Sequence, residues 1–240
     1  MRDENTLFLQ IEADVKSPIT IPRLAAPLRS MHWSDKDKGK SVADDITLKP
    51  GTDTWEIHWK NRPDDQVLLD GKAMLVLEFD DEPLLLSEVK PVKATGDGSF
   101  YLPAHLAITR GEKVRYEPQT FKNTVGFWVG KNDSAHWTIR LDKPGRFNVA
   151  VLQGCGKGHG GSTAQMMLKP DKPAKSTETW LDFQVKETGH WQNFQWVQLG
   201  EIELADAAKV EIVVAPKQIK KAALMDIRAI HLIRLPDRKR

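Results

Sequence analysis

Two groups near the end of the chain could together bind a ligand: an aromatic ring in a turn and a carboxyl group beside a strand. Thr188 and Gly189 open the turn that carries Trp191, and Asp226 stands just before an apolar run typical of a final strand. An indole offers a flat apolar face with one N–H group, and a carboxylate accepts hydrogen bonds. We expect these groups to form a binding site rather than a reactive centre.

Both residues also have an equally consistent structural role. Trp191 would then cap a hydrophobic core, and Asp226 would pair with Arg228 or accept backbone N–H groups. Phe194 and Trp196 follow at a spacing of two, which puts them on one face of a strand and favours core positions. The residues alone therefore leave binding and structural roles open.

Patterns typical of catalysis are missing from the sequence. It contains no G-x-S-x-G, no H-E-x-x-H and no recognisable pair of catalytic carboxylates. His58, His136 and His231 stand in predicted strands, where a structural role is the default. We expect no intrinsic enzymatic activity, and a divergent enzyme using Asp226 or Glu117 is the weaker alternative.

A glycine-rich loop at residues 153–162 carries Lys157, His159 and the single cysteine, Cys155. Its glycines do not follow the P-loop order. Cys155 and His159 alone fall short of the three or four ligands that a zinc site needs. An exposed hairpin tip is the simplest interpretation, although glycines also allow close backbone approach to a ligand. We expect no cofactor.

Composition and charge describe an ordinary globular protein of 240 residues, 40% of them hydrophobic and 28% charged. The net charge of +2 divides into −5 for residues 1–95 and +7 for residues 96–240. This balance predicts neither a nucleic-acid nor a membrane partner, and the basic half is compatible with an acidic ligand.

The cellular compartment stays open on sequence grounds. One cysteine excludes an intrachain disulfide, which bacterial secreted proteins of this size often lack as well. The acidic N-terminus has no signal-peptide pattern, and no apolar run approaches membrane length. We expect the chain to be part of a longer parent that is secreted or periplasmic.

Short apolar or alternating runs predict strands along nearly the whole chain. Thr6–Ile11 and residues 74–79 have strand length and strand composition. The polar, turn-rich residues 90–98 then separate the two oppositely charged halves. We predict an all-β protein of two tandem antiparallel β-sandwiches, residues 1–92 and 96–240, the second a jelly roll.

Two strand pairs in the second half are predicted as hairpins. Residues 136–141 alternate in polarity, residues 142–145 supply Pro and Gly in the order of a type II turn, and residues 147–151 return. Residues 201–204 and 210–214 form the other predicted pair.

Residues 96–236 resemble the β-sandwich carbohydrate-binding modules of families 6 and 35. The matching pieces are Gly126-Phe127-Trp128, Asp133 to Trp137, TIRLDKPGRFNVAVL, the loop Thr188-Gly189-His190-Trp191 and the closing LMDIRAIHL. The resemblance implies a jelly roll with a sugar site in the loops at one end.

The same resemblance implies roles for individual residues. In such modules the ring of this loop stacks on a sugar face, which gives Trp191 that role and makes Trp128 a second platform. An Asn before the last strand usually bonds sugar hydroxyls, and this chain has Leu224 or Asp226 there, depending on the alignment. The ligand-binding residues predicted here are Trp191, Trp128, Asp226, His190, Asn193, Lys157 and His159, with Lys157 and His159 facing an anionic sugar.

A structural calcium is a further property of these modules, held by a Glu-x-Glu pair on the first strand. The matching positions here are Pro103 and His105, which do not supply the oxygen ligands that calcium prefers. We expect no metal at that position, and Glu112, Glu117 or Asp142 are left as ligands elsewhere.

Residues 5–90 resemble the C-terminal β-sandwich of α-L-fucosidases of glycoside hydrolase family 29, in NTLFLQIEADVKSPITIPRLAAPLRSM, ITLKPGTDTWEIHWKNRPDD and MLVLEFDDEP. Together the two resemblances imply the non-catalytic carbohydrate-binding tail of an α-L-fucosidase-like glycosidase, because two sandwiches leave no room for a catalytic barrel. The implied partners are a glycan, anionic or fucosylated, and a catalytic domain. The alternative is a purely structural pair of sandwiches that brace a catalytic domain without binding sugar.

Overall fold

The chain is all-β in the computed structural model, which describes residues 2–12, 14–34, 45–61, 73–171, 179–205 and 208–237. Residues 35–44 and 62–72 of the fucosidase-like segment lie outside the described residues. The strands are β1 Arg2–Asp3, β2 Thr6–Ile11, β3 Ile19–Pro22, β4 Leu28–Trp33, β5 Ile46–Pro50, β6 Thr54–Trp59, β7 Ala73–Phe79, β8 Val92–Lys93, β9 Phe100–Pro103, β10 Ile108–Arg110, β11 Arg115–Glu117, β12 Thr124–Gly126, β13 Ser134–Leu141, β14 Gly145–Gly154, β15 Thr163–Pro170, β16 Thr179–Gln184, β17 Gln195–Leu204, β18 Ala208–Gln218 and β19 Asp226–Arg234.

Helical structure in the described residues includes the short 3₁₀ turns Leu86–Glu88 and Ala104–Leu106. None of the helices there has the length and apolar character that a membrane span requires. The predicted all-β class is confirmed.

Residue contacts divide the chain into two compact units. Unit 1 comprises Met1–Glu88 with Pro118–Thr120, and unit 2 comprises Val89–Glu117 with Phe121–Arg240. Strand β8 pairs with β13 inside unit 2. The boundary at residues 92–96, as the limit of separately folding domains, stays a prediction.

Unit 1 is a small sandwich of two antiparallel sheets. One sheet has the strand order β1-β2-β7-β4, and the other has the order β3-β6-β5. Trp55 of β6 and Phe79 of β7 are both completely buried, and their rings stack with centroids 6.5 Å apart. Because these residues belong to different sheets, this contact shows that the two sheets bury their inner faces against each other.

Unit 2 is a larger sandwich built on longer strands. Its first sheet has the order β10-β13-β18-β15-β16, with β8 beside β13; its second has the order β11-β12-β19-β14-β17, with β9 beside β19. In β13 the buried positions Ala135, Trp137, Ile139 and Leu141 alternate with more exposed ones, as a half-buried strand requires. The Trp137 Nε1–H donates to the Pro103 carbonyl across the two sheets at 2.8 Å.

Both hairpins predicted for the second half are wrong. Strand β13 lies in the first sheet and β14 in the second, so the turn between them crosses from sheet to sheet. Strands β17 and β18 are divided in the same way, since β17 pairs with β14 and β18 pairs with β13 and β15. Alternation and turn residues predict a reversal of direction, but they do not distinguish a hairpin from a crossing between layers. The repeated crossing is what makes this sandwich a jelly roll.

Candidate functional site

A cavity of about 370 Å³ opens in unit 2 among strand ends and loops. This volume lies in the range of roughly 300–1,000 Å³ that is common for small-molecule sites. The lining combines aromatic, aliphatic and amide side chains with three ionisable ones. Its residues are Glu117, Lys122, Phe127, Val129, Trp191, Gln192, Ala222, Ala223 and Asp226.

Asp226 is the first residue of β19, and its side chain is 7% exposed. In the part of the chain that the structure describes, no hydrogen bond or ion pair reaches its carboxyl group. Burial, followed by the negative charge of Glu117, raises the pKa of Asp226 to about 8, and Lys122 opposes that shift. The site therefore contains a carboxyl group whose charged form the protein itself leaves uncompensated.

The pairing of Asp226 with Arg228 considered above is not what the structure contains. The Arg228 guanidinium donates to the carbonyl oxygens of Phe121 and Lys122, each at 2.7 Å. It also stacks over the ring of Phe194, with Cζ 3.9 Å from the centroid. Arg228 thus fixes the backbone that carries Lys122 and leaves the Asp226 carboxyl alone.

Glu117, the last residue of β11, has the partner that Asp226 lacks. Lys122 Nζ donates to Glu117 Oε1 at 2.8 Å, with 27% of the Lys122 side chain and 6% of the Glu117 side chain exposed. Gly126 allows both carboxyls to approach, because a Cβ there would stand 2.8 Å from Asp226 Oδ1 and 3.3 Å from Glu117 Oε2. The glycine at this position is therefore part of the geometry of the site.

Trp191 lines the cavity as a half-buried side chain, and the glycine-rich loop lies behind it. A Cβ on Gly156 would lie only 2.7 Å from the indole Nε1, so the absence of a side chain there gives the ring its place. The His159 ring packs against the indole with centroids 5.0 Å apart. The loop predicted as an exposed hairpin tip thus supports the ring.

A hydroxyl group joins the two loops. Thr188 Oγ1 accepts the Cys155 N–H at 2.8 Å and lies 3.1 Å from the carbonyl oxygens of Cys155 and His190. The Asn193 side-chain amide donates to the Thr188 carbonyl. These bonds fix the turn that presents Trp191, so the ring is preorganised.

Phe127 forms an exposed part of the lining in an uncommon backbone conformation. Its φ of +60° lies in the left-handed region that non-glycine residues rarely adopt, and its side chain is 41% exposed. Arg115 holds the ring from one side, with Cζ 3.3 Å from its centroid. Such outliers concentrate at functional sites.

Trp191 and Asp226, the two residues singled out from the sequence, line the same cavity. Trp128 does not join them. Its side chain is completely buried and its Nε1–H donates to the Val125 carbonyl at 2.9 Å, so the ring belongs to the core and offers no platform. Trp128 is instead a sequence neighbour of the lining residues Phe127 and Val129.

The other predicted contact residues stand behind or beside the cavity lining. His159 supports Trp191, Asn193 bonds the loop backbone, and the His190 ring accepts the Gln192 N–H at 3.2 Å. Lys157 is exposed and is not among the lining residues.

Several lining residues were not predicted as contacts from the sequence. Lys122, Val129 and Gln192 lie in loops without a recognisable motif, and Ala222 and Ala223 do not belong to one either. Phe127 was visible as a member of the Gly126-Phe127-Trp128 match, and that match was the available signal. Within the described ranges, no group of three or more His, Cys, Asp or Glu side chains has an arrangement that could hold a metal ion.

No protein-family model and no curated protein sequence matches this chain. A solved structure that matches is a β-(1,4)-mannanase with a family 35 carbohydrate-binding module from Podospora anserina, at 16% identity and a TM-score of 0.42, covering 60% of this chain and 29% of that chain. A family 35 module from Clostridium thermocellum is 12% identical, with a TM-score of 0.41, covering 56% of this chain and 96% of that chain. An α-L-fucosidase from Vibrio sp. strain EJY3 is 12% identical, with a TM-score of 0.36, covering 95% and 38%.

The chain spans about a third of the length of the mannanase and fucosidase chains that it matches. Both kinds of protein that the sequence resembles, family 35 modules and an α-L-fucosidase, are among the similar structures. The fold class described above follows from the strand pairing of this chain itself.

Proposed function

We propose that unit 2 binds one sugar unit of a glycan in the cavity lined by Trp191 and Asp226. The observation that carries this proposal is the convergence of a fixed, partly exposed indole and an unpaired carboxyl on one cavity. An indole face matches the apolar C–H face of a pyranose, and a carboxyl bonds hydroxyl groups in either protonation state. The cavity volume suits a single ring.

The charges of the lining bear on which glycan binds. Lys122 is the one ammonium in the lining and is already paired with Glu117, so an anionic sugar would have to share that cation with the Glu117 carboxylate. The apolar side chains of Val129, Ala222 and Ala223 suit a methyl group such as that of fucose. Of the two finer predictions, the lining therefore favours a fucosylated glycan over an anionic one.

We further propose that the chain is a non-catalytic accessory region of a longer glycosidase, most plausibly of the α-L-fucosidase type, and that it lies next to a catalytic domain. The support is the resemblance of its two halves to such regions and the partial coverage of the glycosidases that it matches. Incubation with aryl fucosides and other aryl glycosides is expected to release no aryl alcohol above background. Release that disappears in Glu117→Gln would make the region an enzyme.

A hydrogen-bonded chain of Ser134, His136 and Glu211 is the other arrangement with catalytic potential. His136 Nε2 lies 2.9 Å from Ser134 Oγ, and His136 Nδ1 lies 2.9 Å from Glu211 Oε1, which is the order of a serine-hydrolase relay. Ser134 is absent from the lining of the 170 Å³ cavity that His136 borders. We propose a cross-strand structural contact, and covalent labelling of Ser134 by a fluorophosphonate would overturn this assignment.

Affinity electrophoresis of the whole chain against neutral, fucosylated and sulfated glycans tests the binding proposal. We expect a mobility shift with at least one neutral or fucosylated glycan and an affinity loss of about tenfold or more in Trp191→Ala. Trp196→Ala is the matched control, because Trp196 is 48% exposed on β17 and does not line the cavity. Absence of a shift with every glycan would return the chain to a purely structural role, and equal losses in both variants would mean that the glycan binds without a specific contact to Trp191.

A further inference from the structure

The cavity lining contains more acidic groups than basic ones. Glu117 and Asp226 contribute two carboxyls, and Lys122 contributes one ammonium, which bonds Glu117 at 2.8 Å. Asp226 is more than nine-tenths buried, and its carboxyl has no hydrogen-bond or ion-pair partner among the described residues. When all three groups are ionised, the lining has a net charge of −1, and the excess lies on Asp226.

A buried charge without a partner is costly, so a group that supplies the partner binds with a corresponding gain. A sugar hydroxyl satisfies the hydrogen bonds of Asp226 but leaves its charge. An anionic group increases the repulsion that Glu117 already exerts. A primary ammonium group supplies both N–H donors and the missing positive charge.

The aromatic lining favours the same chemistry. A cation is attracted to the face of an aromatic ring, most strongly to that of tryptophan. Arg115 already makes such a contact on one side of Phe127, at 3.3 Å from the ring centroid. Trp191 contributes an indole to the lining on which no cation of the described residues is stacked. A ligand ammonium would therefore meet a carboxyl and an indole in one cavity.

We propose that the cavity selects a sugar unit that carries a free amino group, and that its ammonium pairs with the carboxyl of Asp226. The proposal rests on the function proposed above, because it names the class of sugar bound at the same site. It makes Asp226 the residue that determines specificity and leaves Trp191 as the residue that supplies affinity for sugars in general.

Isothermal titration calorimetry of the whole chain tests this selection with matched sugars. The probes are the methyl glycosides of glucosamine, galactosamine and mannosamine, each with its N-acetyl derivative and its parent neutral hexose. In at least one of the three configurations, we expect the amine to bind about tenfold or more tightly than both of its matched sugars. Asp226→Asn, which keeps the shape of the side chain, is expected to abolish that preference.

The outcomes separate this inference from the function on which it rests. Equal affinities within every configuration, tighter binding of the N-acetyl form, or binding of fucosides alone would overturn the amine selection while the glycan site stands. A preference for the amine that survives in Asp226→Asn would overturn the role of Asp226. Failure of every sugar, including the full glycan panel, would overturn both proposals together. The ratio measured on the unmodified chain decides the selection even if the variant is poorly folded.

Discussion

Asp133 and Asp226 are two buried aspartates of the same sandwich, and their surroundings are opposite. The Asp133 side chain is completely buried, and its carboxylate accepts the backbone N–H groups of Glu112, Val129 and Gly130 at 2.8–2.9 Å. The Asp226 side chain is 7% exposed, borders a cavity and receives no hydrogen bond from the described residues. The fold itself supplies hydrogen-bond donors to the Asp133 carboxylate, and the described residues supply none to the carboxyl group of Asp226.

The difference shows how the chain separates a structural carboxylate from a binding one. Around Asp133, glycines make room for the acceptor: Gly111 has a φ of +140°, and a side chain there would collide with Asp133 Oδ1. Around Asp226, a glycine also makes room, but Gly126 admits a second carboxyl instead of a donor. One arrangement stabilises a turn; the other costs stability and leaves a group available to a ligand.

The largest expected effect comes from removing the structural carboxylate. Asp133→Ala leaves three backbone N–H groups without their acceptor, and we expect a loss of about 3 kcal/mol in the free energy of unfolding. Urea denaturation followed by tryptophan fluorescence measures it. The control is Asp142→Ala, because the Asp142 side chain is 72% exposed and its removal is expected to cost at most about 0.5 kcal/mol. Equal small losses of unfolding free energy in both variants would show that Asp133 does not have this structural role.

For Asp226→Asn, the comparison predicts a gain in the free energy of unfolding instead of a loss. The raised pKa means that, between about pH 4 and pH 8, the folded chain keeps a proton that the unfolded chain has lost. Wild-type stability therefore falls as pH rises through that window, by at most about 1.4 kcal/mol per pH unit from this group. The variant lacks this slope, so it is expected to exceed the wild type by about 2 kcal/mol or more at pH 8 and to approach it near pH 4.

Thermal and urea unfolding at pH 4, 6 and 8 measure the difference between the variant and the wild type. A variant that is less stable than the wild type at pH 8 would mean that Asp226 is a satisfied carboxylate like Asp133, and the contrast between the two regions would collapse.

A smaller effect is expected when the cation of the cavity is removed. Lys122→Met leaves the 6% exposed Glu117 carboxyl without its ion pair, and the long apolar side chain keeps the packing. We expect a loss of about 1 kcal/mol at neutral pH, because Lys122 is itself partly exposed and water screens the pair. Urea unfolding at low and high salt measures it. An unchanged stability at low salt would mean that the pair contributes nothing, and that Glu117 and Asp226 are more alike than described here.

The class of fold was accessible from the sequence because strand period and turn residues are local properties. Strand partners were not, since the turn at residues 142–145 looks the same whether β14 returns beside β13 or crosses to the other sheet. The position of Trp191 was predictable from its glycine-containing turn. The burial of Trp128 was not, because residues 127–129 lie outside any strand, where no period of two predicts which of the neighbouring rings faces out.

The environment of Asp226 also lay beyond the sequence. The charge of Glu117, which acts on it, comes from a residue more than 100 positions away in the chain, and the guanidinium of Arg228 binds backbone carbonyls instead. The sequence shows that a carboxyl group stands near the last strand. That this group has no pairing partner among the described residues follows only from the folded structure.

The most direct test of the account is the titration of the Asp226 carboxyl carbon by NMR, with the signal assigned through its absence in Asp226→Asn. Burial and the neighbouring Glu117 lead us to expect a midpoint near pH 8 in the free chain. Addition of a bound amino sugar is expected to lower that midpoint, since an ammonium stabilises the carboxylate. A midpoint near the ordinary value of about 3.9 in the free chain would contradict the account.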